Sequence, residues 1–460
     1  MLPLAACSTE DLLQVEDPTF ASPETLNTVA GLPTLIAGAI GDFQVGYSGP
    51  GGDSFLSVAA LISDEFYTSD TFPTRAVTDQ RAQFPFGLGN TSDGAFNFLQ
   101  QARRTLKFAS DAVSRLSTTP NDPRRAQLLS LEGYTYTALA EGFCGNIPFS
   151  RTTEAGAPDL TGTGFGAGVG TLQVFDSAVV RFNEALSVQS TNNLARVGKG
   201  RALLNQGKFQ EAAAAVAGVP DNFVFLLDHS ANSSRQYNPI FALQDNGRYS
   251  VSDTEGTNGA PFRSARDPRL PWTGPTPGFD PNIPQFKNQL YQSFDTDVPL
   301  ASGVEARLIE AEAALQAGNT ALWLQRLNAL RANVTALMTV RYPATYATAL
   351  ARARANTGST ATDFGALAPL TDPGSAAARV NLMFQERAFW LYNTGTRLGD
   401  LRRLSRATSQ GGYGRPTNTV FPVGAYIRGG VYGNEVNFPV PFQEVNNPQY
   451  DPAQCNLTQP

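Results

Sequence analysis

The stretch Leu204-Asn205-Gln206-Gly207-Lys208-Phe209-Gln210-Glu211-Ala212 decides the fold. A helix end runs into a glycine, and an aromatic and an alanine open the next helix within a few residues. Glycine accepts the positive φ of a helix C-cap, and small residues let two helices approach. Leu315-Gln316-Ala317-Gly318-Asn319 repeats the leucine-to-glycine step. Tetratricopeptide hairpins close this way, and so does an ordinary αα-hairpin. Either way the chain is built from paired helices.

Around these hairpins the apolar spacing predicts helices over 172–186, 195–206, 209–216, 304–317 and 321–337. Toward the N-terminus it predicts helices over 25–43, with a kink at Pro33, and over 97–116 and 124–143; 55–66 is apolar enough to pack. Leu99, Ala102, Leu106, Ala109, Ala112, Val113 and Leu116 share one face, and Thr119-Pro120-Asn121-Asp122-Pro123 stops one helix and starts the next. A long helix pair or bent helix is expected over 376–405. The segments 44–95, 221–300 and 338–375 are loop-rich. Prolines, glycines, asparagines and aromatics fill 221–300 in particular, which predicts loops with short strands. The expected organisation is helical pairs at about 25–220 and 301–405, with the loop-rich segments inserted between them, in a single domain over 8–460.

Composition narrows the function. Apolar residues make up 42% of the 460 and the net charge is −6, which suits a core-forming globular chain without the basic footprint of a nucleic-acid binder. No run approaches the roughly 20 apolar residues of a membrane-spanning helix. The one histidine, His229, excludes a histidine-rich metal site, and its setting in Leu226-Leu227-Asp228-His229-Ser230 suggests a hydrogen-bonded residue before a catalytic one. No metal or cofactor is expected. Leu4-Ala5-Ala6-Cys7 looks like a lipobox, with 1–7 as a signal remnant and Cys7 as the lipidated residue, and Ser8-Thr9-Glu10-Asp11 fits a polar tether. With Cys7 acylated, Cys144 and Cys455 remain as a candidate disulfide in an oxidising compartment.

Several stretches, in order along the chain, resemble the SusD/RagB-like outer-membrane lipoproteins of bacterial nutrient uptake. They begin with the lipobox. Ala-Leu-Ala-Glu-Gly-Phe-Cys-Gly-Asn-Ile-Pro-Phe at 138–149 resembles the family's helix end and Phe-Gly-x-Ile/Val-Pro turn, and Arg266-Asp267-Pro268-Arg269-Leu270 its Asp-Pro-Arg segment. Glu305-Ala306-Arg307-Leu308-Ile309-Glu310-Ala311-Glu312-Ala313 and Leu327-Asn328-Ala329-Leu330-Arg331 resemble its central helices. Glu386-Arg387-Ala388-Phe389-Trp390 and Gly395-Thr396-Arg397-Leu398-Gly399-Asp400-Leu401-Arg402-Arg403 follow its late signature, with Phe-Trp where Glu-Leu is usual. Phe438-Pro439-Val440-Pro441, Glu444 and Asn447-Pro448 resemble its closing element.

The resemblance implies a mostly α, SusD-like fold: tetratricopeptide-like helix pairs packed into one body, with a loop-rich insertion subdomain containing short strands. It implies a binding protein rather than an enzyme, lipid-anchored at the outer membrane and facing the cell surface. Its partner would be a SusC-like TonB-dependent transporter, and its ligand a glycan or, alternatively, a peptide. A glycoside hydrolase and a helical scaffold without a small ligand are further readings; a hydrolase needs two suitably placed carboxylates. Sugar rings lay apolar C–H faces on aromatic side chains, so candidate ligand residues are loop aromatics and their polar neighbours. These are Tyr67, Asp70, Phe72 and Arg75 in the first loop, beside Phe66, and Tyr237 and Trp272 in the middle insertion, beside Tyr249 and Phe279. For each, packing under a long loop is the competing role. Asp400 lies three residues from both Arg397 and Arg403, a helical ion-pair spacing, and these signature charges are expected to be architectural, as are Asp267 and Arg269.

Overall fold

In the computed structural model, which describes residues 26–49, 54–84, 88–151, 153, 159, 166, 168–358 and 364–460, each long helix packs on the next in chain order. Leu32–Ser48 packs on Ser92–Leu116, and that helix on Pro123–Gly142. The series continues through Thr171–Val188, Asn193–Asn205 and Phe209–Val216. It then resumes with Gly303–Gln316, which packs on Phe209–Val216 and on Thr320–Ala332. The helical stack is therefore continuous in space although residues 217–302 interrupt it in sequence.

Local chemistry starts these helices where they start. Asp122 accepts a hydrogen bond from the Arg124 amide (3.0 Å) and Pro123 occupies the first turn. Asn192, Asn319 and Ser302 cap their helices by accepting from the amides of Ala195 (2.9 Å), Leu322 (3.0 Å) and Glu305 (3.3 Å). Ser92–Leu116 buries Leu99, Ala102, Leu106, Ala109 and Val113, the face read from the sequence.

The two turn glycines close their helices identically. The Gly207 and Lys208 amides donate to the carbonyls of Leu204 (2.9 Å) and Leu203 (3.0 Å), and those of Gly318 and Asn319 to Leu315 (3.0 Å) and Ala314 (2.9 Å). Both glycines have φ of +74°. Their surroundings differ: a Cβ on Gly207 would lie 2.3 Å from the Gly411 Cα, whereas one on Gly318 would meet nothing within 4 Å. Gly318→Ala should thus cost about 1 kcal/mol, from backbone strain alone. Gly207→Ala should cost about 2–4 kcal/mol, because overpacking is added. Urea unfolding of the two variants checks this; equal losses would show that the Gly207–Gly411 contact is not what demands glycine there.

The excursion between the helical blocks leaves and returns through one ladder. Val224–Leu227 pairs antiparallel with Val298–Ser302, so the two ends of the insertion are held together. Within it Trp272–Pro277 pairs with Pro284–Asn288, and Tyr249–Val251 pairs with Phe66–Thr68 from the first loop. Ile147–Pro148 pairs with Gly168–Val169.

Several boundaries depart from expectation. Pro33 lies in the first turn of Leu32–Ser48 and starts that helix instead of kinking it, since a missing N–H costs nothing there. The segment 55–66 is helical only over Phe55–Ile62 and then extends into the Phe66–Thr68 strand. The helix expected over 321–337 divides at Asn333 into Thr320–Ala332 and Val334–Arg341. A helix, Tyr346–Thr357, occupies part of the interval read as loop. The 376–405 region is two helices, Ala376–Trp390 and Arg397–Ser405.

Glu386, Arg387, Asp400, Arg402 and Arg403 are buried, and all of these but Arg402 pair with other charges. Arg403 donates to both oxygens of Glu312 (each 2.9 Å) and to Asp400 (2.9 Å), and Arg387 binds both Asp400 oxygens (each 2.8 Å). Arg269 bridges Asp267 and Glu386, which also takes Arg331 at 2.6 Å. Arg402 donates to the carbonyls of Ala140, Glu141 and Phe143, closing the C-terminal end of Pro123–Gly142. Arg397 departs from the expected pairing: it donates to the Ser63 carbonyl (2.8 Å) and lies over the Phe262 ring, because Arg387 already occupies Asp400. The pairs of Glu386 with Arg269 and Arg331, and of Glu312 with Arg403, join segments distant in sequence.

Candidate functional site

The Phe66–Thr68 strand and its partner Tyr249–Val251 carry a surface platform at their shared end. Asp70, just beyond the first strand, is fully buried and accepts hydrogen bonds from the guanidinium groups of Arg75 and Arg248, the latter at 2.6 Å. The Thr71 amide donates to the same carboxylate (2.8 Å). Held there, Arg248 stacks between two exposed rings, 4.1 Å from the Phe279 centroid and 5.7 Å from that of Phe72, and Arg75 lies 5.0 Å from Phe72. Phe72 is 51% and Phe279 49% exposed.

Backbone bonds tie the pieces together. The Phe279 amide donates to the Gly247 carbonyl (2.7 Å), the Asp280 amide to Ser69 (2.9 Å), and the Ser69 amide to Arg248 (2.9 Å). Gly247, at φ +74°, permits this approach, since a Cβ would lie 2.8 Å from the Phe279 nitrogen. Asp280 pairs with Arg428 (3.2 Å). The platform offers two solvent-facing aromatic faces with fixed guanidinium donors between them. Its own carboxylates are engaged: Asp70 by two arginines and Asp280 by one. Beneath it, Asp79 accepts from the Thr68 amide and the Tyr426 hydroxyl (each 2.8 Å), and burial pushes its carboxyl up to about 8.

Of the residues singled out in the sequence, Asp70, Phe72, Arg75 and Phe279 come together here. Tyr67 lies beneath the surface, buried, with its hydroxyl donating to the Pro284 carbonyl (2.6 Å). Tyr237 sits elsewhere, stacked on Phe294 with centroids 4.1 Å apart. Trp272 packs edge-on to Phe286 and Phe364, with its Nε1 donating to the Arg263 carbonyl (3.1 Å). Tyr67 is thus buried, and Tyr237 and Trp272 are half-buried against other rings. Arg248, the keystone of the platform, has no local sequence signal; only the strand pairing brings it to Asp70. Cys7 lies outside the described residues. Cys144 and Cys455 form a disulfide, with Cα atoms 5.2 Å apart.

His229 has a different setting. Its Nδ1 lies 3.1 Å from the Gln236 carbonyl and 3.0 Å from the Gln44 amide nitrogen, and its Nε2 lies 3.2 Å from the Ser48 hydroxyl. A serine, a histidine and an acceptor for the other ring nitrogen resemble a nucleophilic pair. Ser48 is fully buried, however, and presents no hydroxyl to a substrate. Burial pushes His229 down to about 4 from 6.5, so the fold holds a neutral imidazole. An unfolded chain takes up a proton there below 6.5, and stability from this residue should fall by up to about 3 kcal/mol as pH drops from 6.5 to about 4. Glu65 and Glu141, raised by burial to about 7, act oppositely: the fold retains protons that the unfolded chain releases, and stability is lost as pH rises toward 7. His229→Gln should therefore flatten the acid limb of a stability–pH curve and leave the neutral limb in place. An unchanged acid limb would remove His229 as its cause.

Among the described residues no group of three His, Cys, Asp or Glu side chains is arranged to hold a metal, and no helix is long and apolar enough to cross a membrane.

Comparison with known proteins shows the fold. No protein-family model and no curated protein matches the chain. Among solved structures, a SusD superfamily protein from Bacteroides fragilis matches with a TM-score of 0.63 and 14% identity, covering 94% of this chain and 99% of the other. A SusD-like carbohydrate binding protein from Bacteroides vulgatus matches at 0.59 and 16% identity, over 81% and 83%. A SusD/RagB family protein from Bacteroides thetaiotaomicron matches at 0.58 and 12% identity, over 95% and 97%. The chain has the mostly α SusD-like fold, as the sequence motifs led us to expect.

Proposed function

We propose that this protein is a substrate-binding component of nutrient uptake that captures a glycan on the Phe72–Arg248–Phe279 platform. It passes the glycan to a TonB-dependent outer-membrane transporter without cleaving it, while Cys7 carries the lipid that holds the protein at the outer-membrane surface. One observation carries this reading: two half-exposed aromatic rings flank an arginine locked by a buried aspartate. Aromatic faces accept the C–H face of a sugar ring, and a fixed guanidinium donates to its hydroxyls at little further entropic cost. Shared fold with a SusD-like carbohydrate binding protein supports the same reading. The Cys144–Cys455 disulfide suits a compartment outside the cytoplasm.

The test is a thermal-shift panel of neutral oligosaccharides and oligopeptides, with chromatography of each binding-positive glycan after long incubation. A stabilising glycan recovered intact is expected; a ligand at 100 times its Kd adds about 2.7 kcal/mol. Stabilisation by peptides alone would move the protein to the peptide-binding reading, and new cleavage products would make it a hydrolase.

A further inference from the structure

A second concave surface lies on the helical block, between Ser92–Leu116, Pro123–Gly142 and Thr171–Val188, and encloses about 520 Å³. It shares no residue with the platform. Arg103, Arg104, Lys107, Arg151 and Arg181 line it, five cations around one cleft of a protein whose net charge is −6. Three are engaged. Arg181 pairs with Glu184 (2.7 Å) and Lys107 with Asp111 (2.8 Å), and Arg103 donates to Gln100 (2.9 Å) and the Ser150 carbonyl (3.1 Å). Arg104 and Arg151 have no carboxylate partner among the described residues.

Glu132 lines the same cleft, 1% exposed, and its Oε2 has no hydrogen-bond donor. Burial pushes its carboxyl up to about 7, although Arg181, Arg103 and Lys107 pull the other way. A buried acceptor without a donor is costly, and a ligand hydroxyl would relieve that cost. One wall is aromatic: Phe149 and Tyr136 pack with centroids 5.2 Å apart, and Arg103 lies 5.3 Å from the Phe149 ring.

A ligand complementary to this cleft brings a negative group for Arg104 and Arg151, a hydroxyl for Glu132 and an apolar face for Phe149. Inorganic phosphate or sulfate supplies only the first and would lie against the Glu132 carboxylate. The geometry points to a second saccharide site, specific for a sugar unit that carries an anionic substituent, either a carboxylate or a sulfate. This site is separate from the glycan platform and does not require that reading to hold.

Calorimetric titration of the full chain tests it, with uronate oligosaccharides, sulfated oligosaccharides, their neutral counterparts and inorganic sulfate as probes. We expect saturable binding of an acidic saccharide, tighter than its neutral counterpart. It should weaken by more than about tenfold in the Arg104→Gln/Arg151→Gln variant, and by less than that in Phe72→Ala/Phe279→Ala. Arg151 is exposed and Arg104 half-buried, and an unchanged unfolding midpoint checks that the variant is folded. The uronate and sulfate arms identify which anion the site takes. The proposal is overturned if neither acidic class binds, if inorganic sulfate binds as tightly as the saccharide, if the arginine variant binds as the parent does, or if only the platform variant loses binding.

Discussion

Arg403→Leu is expected to lower the unfolding free energy by about 3–5 kcal/mol, because it takes the bidentate partner from buried Glu312 and one of two partners from buried Asp400. Arg403 is fully buried and donates to Glu312, Asp400 and the Asn205 side chain (2.9 Å), joining the last helix to Gly303–Gln316 and Asn193–Asn205. Arg387 remains 3.6 Å from Glu312 in the variant, so one guanidinium is left to serve both acids. The contrast is Lys107→Ala. That residue forms an ion pair with Asp111 whose side chains are 48% and 46% exposed, and its loss should cost less than about 1 kcal/mol. Urea midpoints of the two variants separate these expectations. Comparable losses would mean that the buried network is not what locks the C-terminal helices onto the stack.

Removing the disulfide is the second large effect. Cys144 follows the end of Pro123–Gly142, where its amide donates to the Phe438 carbonyl and the Phe438 amide donates to that of Gly142, each at 2.8 Å. The bond to Cys455 pins the C-terminal segment to this helix end across 311 residues of sequence. A cross-link over so long a loop restricts the unfolded chain strongly, and Cys144→Ala/Cys455→Ala should cost about 3–5 kcal/mol. The parent protein, reduced to free thiols under denaturing conditions and refolded in reductant, should unfold at the same urea concentration as the double variant. If full reduction leaves the parent midpoint unmoved, the cross-link adds nothing to stability.

Sequence reading went furthest where chemistry is local. Phe209–Val216 has the bounds expected from periodicity, and both turn glycines adopt the positive φ that their positions required. Asp400 and Arg403 pair at their helical spacing. The Tyr346–Thr357 helix was hidden for a physical reason. Its buried face is Tyr346, Ala349 and Ala353, so its stripe is mostly alanine, and arginines and threonines fill the rest. The platform was half legible. Asp70, Phe72 and Arg75 sit within six residues, and an aromatic in a loop is a visible candidate. Arg248 is 178 residues from Asp70, and only the antiparallel register of Thr68 against Tyr249 makes them neighbours. Exposure was not legible either, since alternation within the Phe66–Thr68 strand does not distinguish a ring beneath the platform, such as Tyr67, from one on it.

Titration of the binding-positive neutral glycan into the parent protein and into Phe72→Ala/Phe279→Ala tests the central claim most directly. Both phenylalanines are half-exposed, so the double variant should keep the parent's unfolding midpoint while its affinity falls by about a hundredfold or more, the loss of two stacked rings. Parent-like affinity in a folded double variant would contradict the account and place the glycan somewhere other than on these rings.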